Sequence, residues 1–346
     1  MNKNNGIATT TYNALVESVG KLLEYARKSV ATAVNNTLVQ TYWQIGRYIV
    51  EYEQNGKERA EYGSGLMSRL SKDLTQRYGK GFSERNIEQM RKFYISYPVC
   101  SEVPGKSISQ TLSAEFSLSW SHYLFLMGID NKDERKFYEI ESKNSNWSLR
   151  ELKRQFDSSL YERLSLSRDK EKVKTLSESG ITVQTPEDIV KDPYVLEFLG
   201  LDEKNVYSES DLETQIISRL ETFLLELGKG YTFVGRQVRI TLSEKHFYID
   251  LVFYNRLLQC FVLIDLKIGE ITHQDLGQMQ MYVNFYDRFV KLAHENKTIG
   301  IVLCKKKDDA LVEITLPEDN TQIFASKYQT VLPDKKTLQQ LINETL

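Results

Sequence analysis

Cysteine is scarce in this chain. Cys100, Cys260 and Cys304 are the only three; they are widely separated and the last two fall in apolar strand-like runs, a pattern that argues against disulfides and against a thiolate zinc cluster. A reducing cytoplasm fits. Histidine is equally sparse: His122, His246, His273 and His294 show no metal-ligand spacing, and no role is assigned to them. Net charge is nearly absent, with 45 Lys+Arg against 47 Asp+Glu, so contact with nucleic acid must come from local basic patches and not from the chain as a whole. No run approaches the ~18 consecutive apolar residues of a membrane span. The opening MNKNNGIATTTYN lacks the apolar stretch of a signal peptide, and no membrane partner is expected. There is no internal repeat.

What is present is a soluble globular composition, 41% apolar and 27% charged over 346 residues, long enough for two domains. From Tyr12 to about Arg163 apolar residues recur at helical spacing without strand-like alternation, which predicts an all-helical half. The interval YPVCSEVPGKSISQTLSAEF breaks that periodicity and reads as a loop. Ser148 and Glu151 form a capping box opening the helix LRELKRQFDSSLYERL. The polar run SLSRDKEKVKTLSESG then reads as a linker, with a domain boundary near residue 170, and Thr185 with Pro186 starts a short helix, PEDIVKDPYVLEFLG. A helix from about Asp211 to Leu227 follows, then strands YTFVGRQVRITL, KHFYIDLVFY and LQCFVLIDLKI, the helix HQDLGQMQMYVNFYDRFVKLAHEN, the strands KTIGIVLCKKK and TQIFASKY, and a closing helix KKTLQQLINETL. This is an α+β chain whose C-terminal half joins an antiparallel meander to a crossover connection in a mixed sheet.

Chemistry concentrates in FYIDLVFYNRLLQCFVLIDLKIG. Two nearly continuous apolar strands joined by a short turn accept three ionisable groups, Asp250, Asp265 and Lys267, where a lone buried charge would be costly. Strand alternation puts Asp265 and Lys267 on one face, and a turn at Asn255 to Leu258 brings Asp250 beside or diagonal to Asp265. Two readings stay open: a buried ion pair fixing the hairpin register, or a hard-oxygen site for Mg²⁺, with Mn²⁺ as alternative, in which Lys267 faces water or phosphate. Glu213 shares a helical face with Ile217, Leu220 and Leu224 and points at the sheet, but Ser210 with Glu213 also spells a capping box. Glu221 and Glu226 fall off that stripe and are expected in solvent. Gln278 and Tyr282, four apart on the following helix, share a face that could meet a substrate backbone or a water.

Glu213, Asp250, the run Asp265-Leu266-Lys267 and the pair Gln278, Tyr282 together resemble the PD-(D/E)XK nuclease superfamily, the last pair being similar to the motif of its RecB-like branch. More closely, GKGYTFVGRQ, FYIDLVFYNRLL, LIDLKIG and GQMQMY resemble the YhcG-type nucleases, and the likeness extends to YWQIGRYI, LSKDLTQRYGKGFSERNIEQMRKFY and WSHY in the helical half, covering nearly the entire chain. The resemblance implies a restriction-endonuclease-like α/β core over 186–346, a helical domain over 12–165 and a linker at 166–185. It implies Asp250, Asp265 and the Leu266 carbonyl as metal ligands, joined by Glu213, the acid on the first core helix, and Lys267 as catalytic lysine. Two departures stand out. Ile249 replaces the proline of the superfamily name, and Asp265 stands where glutamate is more frequent, drawing its oxygens back by one methylene.

Within the helical half, the stretch from Lys57 to Tyr97 holds nine Lys/Arg against five Asp/Glu, and a glycine-bearing turn at Gly79 to Phe82 separates two helices, the second capped by Ser83. That is compatible with a helix-turn-helix in which Glu84, Arg85, Asn86 and Gln89 approach DNA. A dimerisation or partner-docking module is the rival reading. Trp43, Trp120 and Trp147 are expected as core anchors, and Arg236 and Gln237 as nucleic-acid backbone contacts. The function these expectations describe is Mg²⁺-dependent endonucleolytic hydrolysis of DNA. The alternatives are a nucleic-acid-binding protein that keeps the fold without activity, and a nuclease acting on RNA.

Overall fold

The computed structural model describes residues 5–55, 63–98, 116–166, 170–201 and 207–345. Cys100 and most of the expected loop at 97–116 lie outside them. The chain forms two compact units, Met1–Arg135 and Lys136–Leu346, a division ahead of the expected linker. Among the described residues no helix is long and apolar enough to cross a membrane.

The first unit is helical: α1 (Asn5–Asn55), α2 (Gly63–Tyr78), α3 (Glu84–Ser96) and α4 (Trp120–Leu126). Ser83 Oγ accepts from Asn86 N and starts α3, whose Ile87, Met90 and Phe93 are buried. They meet α1 where Gly46 lets the two backbones close up, since a Cβ there would strike the Met90 carbonyl. Trp43 Nε1 donates to Tyr97 O at 2.9 Å, and Phe93 packs on Trp120 and Tyr123. The tryptophans therefore serve the core, as their helical surroundings imply.

The helix α5 (Lys132–Asn144) runs across the division, and the second unit continues with α6 (Leu149–Asp157), α7 (Leu160–Leu166) and α8 (Lys170–Ser179). The Ser148–Glu151 box forms with both hydrogen bonds made. The helix it opens breaks in two, however, because Ser159 takes a left-handed conformation, φ +54°. The polar run read as linker is helical over Lys170–Ser179: Leu176 is buried and Gly180, φ +73°, closes the turn by donating its N–H to Leu176 O. A second correction concerns PEDIVKDPYVLEFLG. Thr185 and Asp188 make a capping box, but only a 3₁₀ turn, Pro186–Ile189, follows. Pro193 offers no N–H to continue a helix, and the chain extends into the short strand β1 (Tyr194–Val195).

The sheet has six strands in the order β1-β6-β5-β4-β3-β2, comprising β2 (Tyr231–Leu242), β3 (Lys245–Asn255), β4 (Cys260–Glu270), β5 (Ile299–Lys306) and β6 (Ile323–Gln329). β2–β3 and β3–β4 are antiparallel, while β4–β5, β5–β6 and β1–β6 are parallel. That is the expected meander plus crossover, with β1 an unforeseen sixth strand. α9 (Glu209–Ser218) and α10 (Leu220–Leu227) cover one face through Leu212, Ile216, Phe223 and Leu227, packed with Leu251, Phe253 and Ile264. α11 (His273–Phe289) covers the other through Met279, Tyr282 and Val283, packed with Ile249, Val252 and Leu263. Both faces are apolar and covered, which explains the near-continuous hydrophobic runs of β4 and β5. α11 stops at Phe289, short of the expected Asn296. The helices α12 (Asp309–Thr315), unforeseen, and α13 (Lys335–Thr345) complete the unit.

Candidate active site

The hairpin turn is set by Asn255, whose Oδ1 accepts from Leu257 N and Leu258 N, a side chain imitating a backbone turn. Pairing then runs from Asn255↔Cys260 to Leu251↔Ile264 and stops. β4 continues beside β5 alone, through Asp265↔Val302 and Lys267↔Cys304. The register therefore sets Asp250 opposite Asp265 at the point where β3 and β4 part. There the Asp250 side chain takes over the role of a backbone acceptor: its Oδ2 receives Leu266 N at 2.8 Å.

Asp265 is 3% exposed. Burial, and then the nearby Asp250, push its carboxyl up to about 7 against the pull of Lys267. Lys267 Nζ stands 2.9 Å from Asp265 Oδ2, 3.7 Å from Glu209 Oε2 and 3.9 Å from Asp275 Oδ1. Burial alone would lower the lysine; Asp265, Glu209 and Asp275 outweigh it and raise the group well above the ordinary range, so it is held as a cation. Asp265 Oδ2 is buried, and the Lys267 ammonium at 2.9 Å is the group that faces it.

Glu213 is buried, and its helix starts two residues earlier than the sequence suggested. Ser208 with Asp211 makes the capping box of α9, so the Ser210–Glu213 cap is not formed and Glu213 is free to face the sheet. Gln237 ties it to the hairpin, donating Nε2 to Glu213 Oε2 and, at 3.0 Å, to Asp250 Oδ1. Gln237 does so from a left-handed backbone, φ +48°, within β2, a conformation a non-glycine residue adopts at a cost. Its amide is thus engaged on the two acids, while Arg236 beside it is exposed.

On α11 Gln278 and Tyr282 share a face, as expected, and Gln278 Nε2 donates to the Tyr282 hydroxyl. Tyr282 is fully buried and donates its own proton to Tyr248 O at 2.9 Å. It clamps β3 two residues from Asp250 and is already committed to the backbone.

In the helical unit Arg85, Asn86 and Gln89 line a shallow cleft of about 410 Å³ with Gly81, Ser83 and Leu124. Asn86 Nδ2 donates to Gly81 O across the turn, leaving Arg85 the most exposed of the three.

Sequence reasoning missed Glu209 and Asp275. Both sit in first helical turns, and the patterns Ser208-x-x-Asp211 and Thr272-x-x-Asp275 ahead of apolar runs were the available signal. It also misplaced Glu226. The expected helix at 211–227 is interrupted at Arg219, φ −123° and ψ 32°, which resets the helical phase and turns Phe223, Glu226 and Leu227 inward together. Glu226 is 0% exposed, bound by Arg163 at 2.7 Å and Arg154 at 3.4 Å.

Asp250 and Asp265, facing each other where β3 and β4 part, offer hard carboxylate oxygens whose mutual repulsion a cation would offset. These residues fit Mg²⁺, which commonly uses one or two carboxylates and retains water. Among the described residues no three or more His, Cys, Asp or Glu side chains gather into a metal cluster; Glu213 enters through Gln237.

Residues 187–343 match the YhcG PDDEXK nuclease domain and residues 18–163 the DUF1016 N-terminal domain. A crystal structure of a repair endonuclease from Pyrococcus abyssi is similar at 13% identity over 38% of this chain and 50% of that one, with a TM-score of 0.25. The structure of an EndoMS–dsDNA2 complex is similar at 15% identity over 39% and 50%, with a TM-score of 0.26. The chain is 40% identical to Putative nuclease YhcG of Escherichia coli (strain K12) across 95% of its own length and 93% of that protein's. On that identity and coverage, the chain belongs to the YhcG family of PDDEXK nucleases, hydrolases acting on ester bonds.

Proposed function

We propose that this chain is a Mg²⁺-dependent endonuclease that hydrolyses phosphodiester bonds in DNA, its helical region adding contacts to DNA or to a partner. The observation that carries the reading is the buried Asp265 carboxylate, facing Asp250 and flanked by the Lys267 cation, at the point where two strands part. Asp250 and Asp265 would hold the metal with the Leu266 carbonyl. When bound, the ion supplies Lewis-acid charge and lowers the pKa of water. Lys267, held as an ammonium, places positive charge where phosphate oxygens gain negative charge. Gln237 fixes Asp250 relative to Glu213, and Tyr282 holds the β3 backbone beside them.

Cleavage of duplex DNA, branched DNA, single strands and RNA, each with Mg²⁺ or Mn²⁺, tests the substrate class. Asp250→Ala and Lys267→Ala are each expected to lower cleavage by at least ~10²-fold while leaving nucleic-acid binding in place. Undiminished cleavage in both variants would refute the site. The 2.9 Å pair of Lys267 with Asp265 favours one rival, a nucleic-acid binder without activity. Calorimetry separates the two: uptake of Mg²⁺ that disappears in Asp250→Ala supports the nuclease, and no uptake of either metal supports the rival.

A further inference from the structure

The N-terminal half of α1 carries an apolar seam that the described residues of this chain do not cover. Tyr12, Val16, Val19, Leu23, Ala26 and Val30 recur at alternating steps of four and three, the spacing that keeps one helix face against another over several turns. Leu15 and Leu22 widen the seam. These are not marginally exposed positions: Leu22 is 66%, Leu23 54% and Val30 64% accessible. Glu17, Lys21, Glu24 and Lys28 all fall on the opposite face, where Glu17 and Lys21 pair at 2.7 Å.

The seam does not continue the packing inside the unit. α1 meets α3 lower down, through buried Val39 and Trp43 and through Gly46. At ~100° per residue those positions lie roughly half a turn away from the seam. Tyr48 and Tyr52, 66% and 68% exposed, return to the seam side. The helix is thus apolar on two opposite sides, of which one is covered.

We propose that a second copy of this chain covers the other, the two α1 helices packing seam to seam as a two-fold pair. Self-complementarity is automatic in such an isologous contact. Tyr12, Val16, Leu22, Leu23, Val30 and Val34 are each more than half accessible, an apolar row of the kind that a stable interface of ~800 Å² per partner draws on. A lone helix of this length also gains little stability in water without tertiary packing. A lipid surface is the poorer occupant, because the polar face balances Glu17 and Glu24 with Lys21 and Lys28 and lacks the cationic excess that anionic membranes select.

The test is the mass of the full-length protein by sedimentation across the micromolar range. Wild type is expected at twice the mass of one chain. The double variant Leu23→Glu, Val30→Glu is expected at a single mass with loss of some helical circular dichroism and with the melting transition of the sheet-bearing unit kept. Tyr25→Glu, on the polar side of the same helix, is expected to remain double. A single-chain wild type, a double variant that stays paired, or dissociation by Tyr25→Glu would each overturn the proposal.

Discussion

Replacing Glu226 by glutamine should weaken the sheet-bearing unit more than any surface change. The carboxylate is 0% exposed; its Oε1 is 2.7 Å from Arg163 Nη1 and accepts Val195 N at 3.0 Å, and Lys191 Nζ donates to the Glu226 carbonyl. Burial alone would drive the acid up, but Arg163, then Lys191 and Arg154, outweigh it and hold it at about 2, against an ordinary 4.5. Each tenfold change in proton affinity is worth ~1.4 kcal/mol, so that depression corresponds to about 3 kcal/mol, which agrees with the ~3–5 kcal/mol expected when one member of a buried pair is removed. For a unit of roughly 200 residues this is a fall in melting temperature of about 6–12 °C. Because the folded-state pKa lies below the unfolded one, the stabilisation is fully present above about pH 4.5 and is lost as pH falls toward 2. Thermal melts of wild type and Glu226→Gln at pH 7 and across pH 5 to ~2.5 measure both features. A variant melting within a degree of wild type at pH 7, or a gap that persists undiminished at the acid end, would refute the reasoning.

Three further outcomes follow from the site and its surroundings. Asp265→Asn, in chelator-treated protein, should match or exceed wild-type melting temperature at pH 8 and lose that advantage at pH 5. The folded carboxyl is raised to about 7 from 3.8, so ionising it costs stability as pH climbs through that window; a lower melting temperature at pH 8 would contradict this. Gln237→Gly keeps the left-handed backbone accessible and deletes the amide between Glu213 and Asp250. Cleavage should fall while the melting temperature moves little, and unchanged cleavage would remove Gln237 from the positioning role. Arg85→Ala in the helical cleft should weaken DNA binding evenly across sequences and reduce the salt-dependence slope by about 1, measured by titration at several ionic strengths; an unaltered slope would exclude a phosphate contact at that residue.

The central strands were readable because both faces of the sheet are covered there, so KHFYIDLVFY and LQCFVLIDLKI carry apolar runs that no exposed segment would, whereas the edge strand YTFVGRQVRITL buries only Ile240. Asn255 and the spacing of the two strands gave the hairpin turn. What could not be read were interruptions without glycine or proline. Arg219 and Ser159 break helices through backbone angles alone, and neither residue type announces that choice. The consequence was large for one residue: a continuous helix rotates Glu226 toward solvent, whereas the break at Arg219 rotates it into the core. Its partners Arg154 and Arg163 are far away in sequence, so no local pattern could pair them with it.

The site shows the same division between chemistry and placement. Asp250, Asp265 and Lys267 were legible because three ionisable groups within two apolar strands demand a common explanation. Their charge states were not legible, since these depend on neighbours contributed by separate elements. Glu209 from α9 and Asp275 from α11 close on Lys267 from first helical turns, and with Asp265 they keep the lysine protonated. A lysine so surrounded is suited to donate hydrogen bonds and offset negative charge, and ill suited to accept a proton from water. The three carboxylates around Lys267 therefore favour an orienting and charge-balancing role for it.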